Sequence, residues 1–87
     1  MLHTERHELH GITVVLETGG RLTHVGRFDT RDDKGIHLIN VATHDPASGM
    51  SFEAFLGRIR RFGIKVERKH LLVPDADVGT IRPLGEL

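Results

Sequence analysis

The sequence predicts a mainly β fold: a small five-stranded barrel with a short N-terminal helix and a helical or long-loop insert between strands 3 and 4. Three observations support this. The 87 residues suffice for one domain. Five short apolar or alternating runs are separated by turns rich in Gly, Asp and Pro. Residues 52–62 carry apolar side chains at helical spacing. Five short strands in so short a chain close most economically into a barrel.

The N-terminal helix is predicted over residues 4–11. Thr4 can cap the first free N–H groups, and Glu5 suits the positive end of the helix dipole. Gly11 can adopt the left-handed conformation that ends a helix. A helix of one or two turns is stable only when it docks on the rest of the domain.

The strands are predicted from β-branched or alternating runs bounded by turn residues. The first run ends at Gly19 and Gly20, a strong hairpin signal. Gly26 inside the second run indicates a sharp bend or a close backbone approach. The predicted strands are 12–17, 21–29, 36–42, 64–73 and 78–84.

The insert, residues 48–63, has the periodicity of an amphipathic helix. Ser51 is placed to cap its N-terminus, and Gly63 follows its last apolar residue. Gly57 in the middle weakens a helix and leaves a bent pair of strands as the alternative. The apolar positions are Phe52, Phe55, Leu56, Ile59 and Phe62.

Charge is balanced over the chain but not along it. Twelve Lys and Arg residues balance twelve Asp and Glu residues, which argues against a wholly basic nucleic-acid-binding surface. Residues 58–69 nevertheless hold six of the cations and only one acid, Glu67. This segment is either a solvated face or a local patch that binds an anionic partner. Its cluster of Arg58, Arg60 and Arg61 is a candidate clamp for a nucleic-acid backbone, or equally a set of partners for the acidic turns of a neighbouring subunit.

Residue types that carry catalysis or cofactors are sparse. The chain has no Cys, so it offers neither a thiol nucleophile nor a disulfide. His3, His7 and His10 would share one face of the N-terminal helix, but a zinc site needs a further ligand, so no metal site is predicted. We expect no enzymatic activity and no cofactor.

Two stretches of the chain follow a family pattern. The first is an apolar strand, a Gly turn, a Gly-bent strand, an Asp turn and an apolar strand, in residues 12–22, 25–28 and 32–38. The second is an apolar strand, a turn and a short strand, in residues 71–78 and 80–83. These stretches resemble the two motifs of the Sm/LSm family of ring-forming RNA-binding proteins.

The resemblance implies a homo-oligomeric ring that binds single-stranded RNA or DNA through two turns lining its pore. Ordinary hairpin turns are the alternative interpretation of the same residues, because turns favour Asp, Gly and Pro. One wall of the implied nucleotide site is Arg31, Asp32, Lys34 and Gly35, and the other is Pro74 and Asp75.

A second function remains open: an SH3-like barrel that mediates protein interaction or assembly without nucleic acid. Gly35 stands where the family has its base-contacting Asn, and Pro74-Asp75 replaces its Arg-Gly pair. The chain also lacks Tyr and Trp, so aromatic platforms are few. It has no apolar run long enough to span a membrane and no signal-peptide pattern, so a cytoplasmic protein without a membrane partner is expected.

Overall fold

The computed structural model describes residues 7–87 and confirms a mainly β protein, with one antiparallel sheet of five strands and one α-helix. The elements in chain order are β1 (Thr13–Thr18), β2 (Thr23–Asp32), β3 (Gly35–His44), α1 (Phe52–Phe62), β4 (Arg68–Pro74) and β5 (Val78–Pro83). The strand order across the sheet is β4-β3-β2-β1-β5, which leaves β4 and β5 at opposite edges.

The sheet is curled but does not close, so the prediction of a closed barrel is wrong. No ladder joins β4 to β5, although only the single 3₁₀ turn Asp75–Asp77 connects them. Four Cα–Cα steps reach at most about 15 Å, so the two edges approach each other at this end. A cleft of about 400 Å³ lies between residues 18–22 and 71–74. Strands must lie within about 5 Å of each other to pair, and β4 and β5 form no such pair.

Irregularities in strand pairing bend the sheet. The pairing register between β2 and β3 shifts by one residue between Val25 and Arg27. The extra residue lies in β3 and is Asn40, which has a φ of 54°. Gly26 lies at this bulge, where a Cβ atom would come within 2.9 Å of the Val41 side chain. The close backbone approach predicted for Gly26 is confirmed, and the bulge supplies the local twist that curls the sheet.

Both faces of the sheet are buried. Val14 and Leu16 of β1 point to one face and pack with Phe28, whereas Val15 points to the other face. Alternation along a strand requires this division. The first cluster is Val14, Leu16, Phe28, Ile36, Leu38, Val41 and Val73, and the second is Val15, Val25, Leu56 and Ile59.

Helix α1 covers the second face, and the alternative of a bent strand pair is wrong. The Ser51 hydroxyl accepts a hydrogen bond from the Ala54 N–H at 3.1 Å, and Gly63 ends the helix at a φ of 83°. Leu56 and Ile59 are the buried residues of the helix. Its 11 residues are too few to cross a membrane, and no other helix within residues 7–87 is long and apolar enough to do so.

The fourth strand starts later than the sequence predicts. Residues 64–67 are not strand, and β4 begins at Arg68. The chain leaves α1 on the second face and must first return to the edge of β3, where the Glu67 N–H donates to the Val41 carbonyl at 2.8 Å. Alternation alone does not reveal this crossing.

The predicted N-terminal helix falls partly outside the described residues, which begin at His7. Residues 8–11 form a hydrogen-bonded turn instead of a helix, with the His10 N–H donating to the His7 carbonyl at 2.8 Å. The turn docks on β2, because the His7 ring packs 4.5 Å from the Phe28 ring and the Gly11 N–H donates to the Phe28 carbonyl. The docked turn therefore provides hydrogen-bond partners for the backbone N–H groups of His10 and Gly11 without forming a helix.

Replacement of Gly35 by Ala is expected to lower stability by about 1–3 kcal/mol, because an L residue is strained at its φ of 144°. The new Cβ atom would also lie 2.8 Å from the Pro74 Cα atom. Gly57→Ala is the matched control: its Cβ would meet nothing within 4 Å, and helix propensity should raise stability by about 0.5–1 kcal/mol. Urea unfolding followed by circular dichroism measures both. If both substitutions changed the free energy of unfolding equally, the tight contact at Gly35 would be contradicted.

His24 should make the protein less stable in weak acid. Burial lowers the pKa of His24, and the charge of Arg68 lowers this pKa further against the opposing influence of Glu67. Its Nδ1 atom also bonds the Thr43 hydroxyl at 2.7 Å. The unfolded chain takes up this proton near pH 6.5 and the folded chain only below that, so stability falls as pH drops through this window.

The substitution His24→Gln removes this titration. Urea unfolding of both proteins at pH 7.5 and pH 5.5 should show a smaller acid-side loss in the variant. An identical loss in the two proteins would mean that the acid sensitivity comes from other groups.

Candidate nucleic-acid interface

Two chain connections meet at one end of the sheet. The β2–β3 hairpin turns through Asp33 and Lys34, and Asp75–Asp77 links β4 to β5. Gly35 pairs with Pro74 across the β3–β4 ladder, which fixes the two connections side by side. We call residues 31–35 and 74–77 the turn surface. It brings together Arg31, Asp32, Lys34, Gly35, Pro74 and Asp75, the residues predicted as the two walls of a nucleotide site.

Asp32 organises the hairpin turn. Its Oδ1 atom accepts hydrogen bonds from the Lys34 N–H at 2.9 Å and the Gly35 N–H at 3.2 Å, a side-chain mimic of a backbone turn. The Lys34 N–H is the main cause that lowers the pKa of Asp32, and His37 lowers the same pKa further. The carboxylate is therefore held ionised by the turn that it stabilises.

An ion pair joins the two connections. The Arg31 guanidinium donates to the Asp75 carboxylate at 3.0 Å, and about half of each side chain is exposed. A pair this exposed contributes about 0–1 kcal/mol to stability. Its larger consequence is chemical, because Asp75 neutralises Arg31, a residue of the implied nucleotide site.

A chain of hydrogen bonds runs from Asp32 through His37 to His70. The Asp32 Oδ2 atom lies 2.9 Å from His37 Nε2, and His37 Nδ1 lies 2.9 Å from His70 Nε2. An ionised carboxylate only accepts, so His37 donates from Nε2, and a neutral His37 then accepts at Nδ1 from His70 Nε2. Asp32 thus fixes the tautomer of the first imidazole and, through it, the orientation of the second.

Sequence reasoning did not identify His37 and His70 as site residues. The two histidines are neighbours only because the β3–β4 register pairs His37 with Leu72 and Ile39 with His70. That register is a property of the folded sheet, and the spacing of 33 residues carries no signal of it. The one usable sign is that each histidine lies within a predicted apolar strand, where an imidazole needs a polar partner.

The turn surface is not basic. Its cations are Arg31 and Lys34, and Arg31 is already paired with Asp75. A phosphate backbone would meet a carboxylate excess here, which is unfavourable. Hydrogen-bond acceptors and imidazoles suit base edges better than phosphates. The four carboxylates are Asp32, Asp33, Asp75 and Asp77.

The three helix arginines lie elsewhere. Helix α1 packs over Val15 and Val25, and Val25 pairs with Ala42 near the C-terminal end of β3. The turn surface adjoins the N-terminal end of the same strand at Gly35, so the two regions are separated along β3. The structure does not bring Arg58, Arg60 and Arg61 to the turn surface.

The arginines also differ in their contacts. Arg60 donates to the Leu87 carbonyl at 2.6 Å, and the Arg61 guanidinium lies 5.3 Å from the centre of the Phe62 ring. Arg58 instead lines a cavity beside α1. They therefore form no single clamp, although all three are exposed to an anionic partner.

Metal-binding arrangements are absent from residues 7–87, where no three His, Asp or Glu side chains are grouped to hold an ion. His3 of the histidine set on the predicted helix lies outside this range. Of the other two, His7 accepts from the Leu9 N–H at 3.1 Å, and His10 bonds the Asp29 carbonyl. The two rings are thus engaged in separate contacts.

No protein-family model, curated protein or solved structure matches the chain. Function is therefore inferred from the residues and their geometry. Two features of the described residues bear on it: the basic segment around α1 and the turn surface with its histidine pair.

Proposed function

We propose that the protein binds single-stranded RNA or DNA as a homo-oligomeric ring of Sm-like subunits. The observation that carries the proposal is the exposed basic segment, residues 58–69. Its cations form no ion pair with any Asp or Glu side chain of residues 7–87, and apart from Arg60, which donates to the Leu87 carbonyl, they are available to phosphates. Phosphate contacts supply most of the affinity of sequence-independent nucleic-acid binding. These cations are Arg58, Arg60, Arg61, Lys65, Arg68 and Lys69.

The turn surface supports a complementary role in base recognition. Single-stranded bases splay out and are recognised by hydrogen bonds and stacking. The Asp75 and Asp32 carboxylates accept hydrogen bonds from exocyclic amines, and the His70 ring is exposed next to them. The proposal thus assigns phosphates to the basic segment and bases to the turn surface.

The open sheet edges support assembly. β4 and β5 each lack a partner on their outer side, and unpaired edges favour pairing with another chain. Because the two free edges belong to different strands, β4 of one copy can pair with β5 of the next. A head-to-tail contact of this kind generates a ring when the rotation closes.

A second candidate is an SH3-like interaction module that binds a protein and no nucleic acid. The acidic turn surface favours it, since the carboxylates there attract a basic peptide more strongly than a phosphate backbone. The Arg31–Asp75 pair favours it too, because it neutralises the arginine assigned to nucleic acid.

Simultaneous replacement of Arg58, Arg60 and Arg61 by Gln should weaken binding of a single-stranded oligonucleotide. The slope of log affinity against log salt should fall by about 0.7 for each arginine that contacts a phosphate. Fluorescence anisotropy with a labelled 12-nucleotide RNA at several salt concentrations measures both quantities. The control, Arg31→Gln with Lys34→Gln, should change the slope less. An unchanged slope in the triple variant would remove the helix arginines from the interface.

The native mass tests the assembly. We expect a discrete mass of several subunits, because two unpaired edges per copy must be satisfied in a closed ring. Light scattering with refractive-index detection is suitable, since the chain has no Trp or Tyr to absorb at 280 nm. A monomer at micromolar concentration would contradict the ring and favour the interaction module.

A further inference from the structure

A cavity of about 520 Å³ opens beside α1, at the opposite end of β3 from the turn surface. Its walls are the C-terminal end of β3, the second half of α1 and the crossing segment that leads to β4. Pockets that bind small molecules measure about 300–1,000 Å³. The space is therefore large enough for one nucleotide.

Two phenyl rings line this cavity. Phe62, the last residue of α1, is 75% exposed, although a large apolar side chain is normally buried. Phe55 lies about two helical turns before Phe62, and its ring packs 5.3 Å from the His44 ring. The inner ring is held in place by its neighbours, and the outer ring stays largely exposed although the Arg61 guanidinium lies 5.3 Å from its centre. Flat aromatic ligands stack on faces of this kind.

Two cations also line the cavity. Neither Arg58 nor Lys65 has a carboxylate of residues 7–87 within 4.0 Å. Asp45 lies in the wall, but its carboxylate is paired with Arg21 at 3.2 Å. Glu67 is the remaining acid of the lining. The unpaired groups therefore leave an excess of one positive charge next to the phenyl rings.

We propose that this cavity binds one nucleotide unit, with the base against Phe62 and Phe55 and the phosphate on Arg58 and Lys65. The inference deepens the proposed function and rests on it where the nucleotide belongs to a strand. The same chemistry is present in a free mononucleotide. A base in this cavity would explain why the helix arginines have diverging contacts: only Arg58 serves the pocket.

The test uses four probes and two matched pairs of variants on the full chain. The probes are AMP, adenosine, ribose 5-phosphate and a 12-nucleotide oligoadenylate, titrated by calorimetry. Arg58→Gln is matched by Arg60→Gln, and Lys65→Gln by Lys69→Gln, since the second residue of each pair does not line the cavity. All five side chains, including Phe62, are exposed, so the variants should fold, and circular dichroism checks this.

The proposal expects AMP to bind more tightly than adenosine or ribose 5-phosphate. Phe62→Ala should weaken the binding of AMP and of oligoadenylate about tenfold, which is the effect of losing one base–aromatic stack. Arg58→Gln and Lys65→Gln should each weaken AMP binding several-fold. Arg60→Gln and Lys69→Gln should leave the AMP affinity within about twofold of that of the unsubstituted protein.

The remaining outcomes separate the two proposals. If oligoadenylate binds but Phe62→Ala has no effect and AMP does not bind, the cavity proposal is overturned and nucleic-acid binding stands. If AMP binds with the expected variant pattern and oligoadenylate does not, the cavity takes a free nucleotide and the proposed function fails. If both variants of each matched pair weakened AMP binding equally, AMP would be bound by a diffuse basic surface, and the cavity proposal would be overturned.

Discussion

The architecture depends on the three-residue connection between β4 and β5. These strands form the two edges of a five-stranded sheet, and Asp75–Asp77 holds their ends within a few residues of each other. A flat sheet would keep its edges apart by four strand spacings of about 4.8 Å, so the connection forces the sheet to curl. The bulge that contains Gly26 and Asn40 allows that curl. The same connection places Asp75 beside the β2–β3 turn, which creates the turn surface.

A sheet that is buried on both faces gives this small domain more core than one face could supply. Helix α1 makes this possible by covering Val15 and Val25 with Leu56 and Ile59. Burying a large aliphatic side chain stabilises the fold by about 1.5–3 kcal/mol, so the second cluster matters in a chain of this size. The helix covers only part of that face, and the uncovered part beyond Ile59 is the cavity.

Local signals predicted the local features. Ser51 and Gly63 bound a helix because capping depends on residues within one turn, and Gly26 permits a close approach that any side chain would block. Features that depend on strand pairing were missed. Neither the late start of β4 nor the contact of His37 with His70 follows from the sequence, because both depend on the register between strands far apart in the chain. The turn residues lie side by side in the structure, but the resemblance did not reveal that Asp75 neutralises Arg31.

The hydrogen-bond chain from Asp32 to His70 links a free edge of the sheet to the β2–β3 turn. His70 lies on the edge strand β4 and His37 on β3, so two contacts of 2.9 Å lead from the outermost strand to the carboxylate that organises the turn. Any movement of the exposed His70 ring is therefore transmitted through His37 to Asp32, and the edge of the sheet and the turn are mechanically connected.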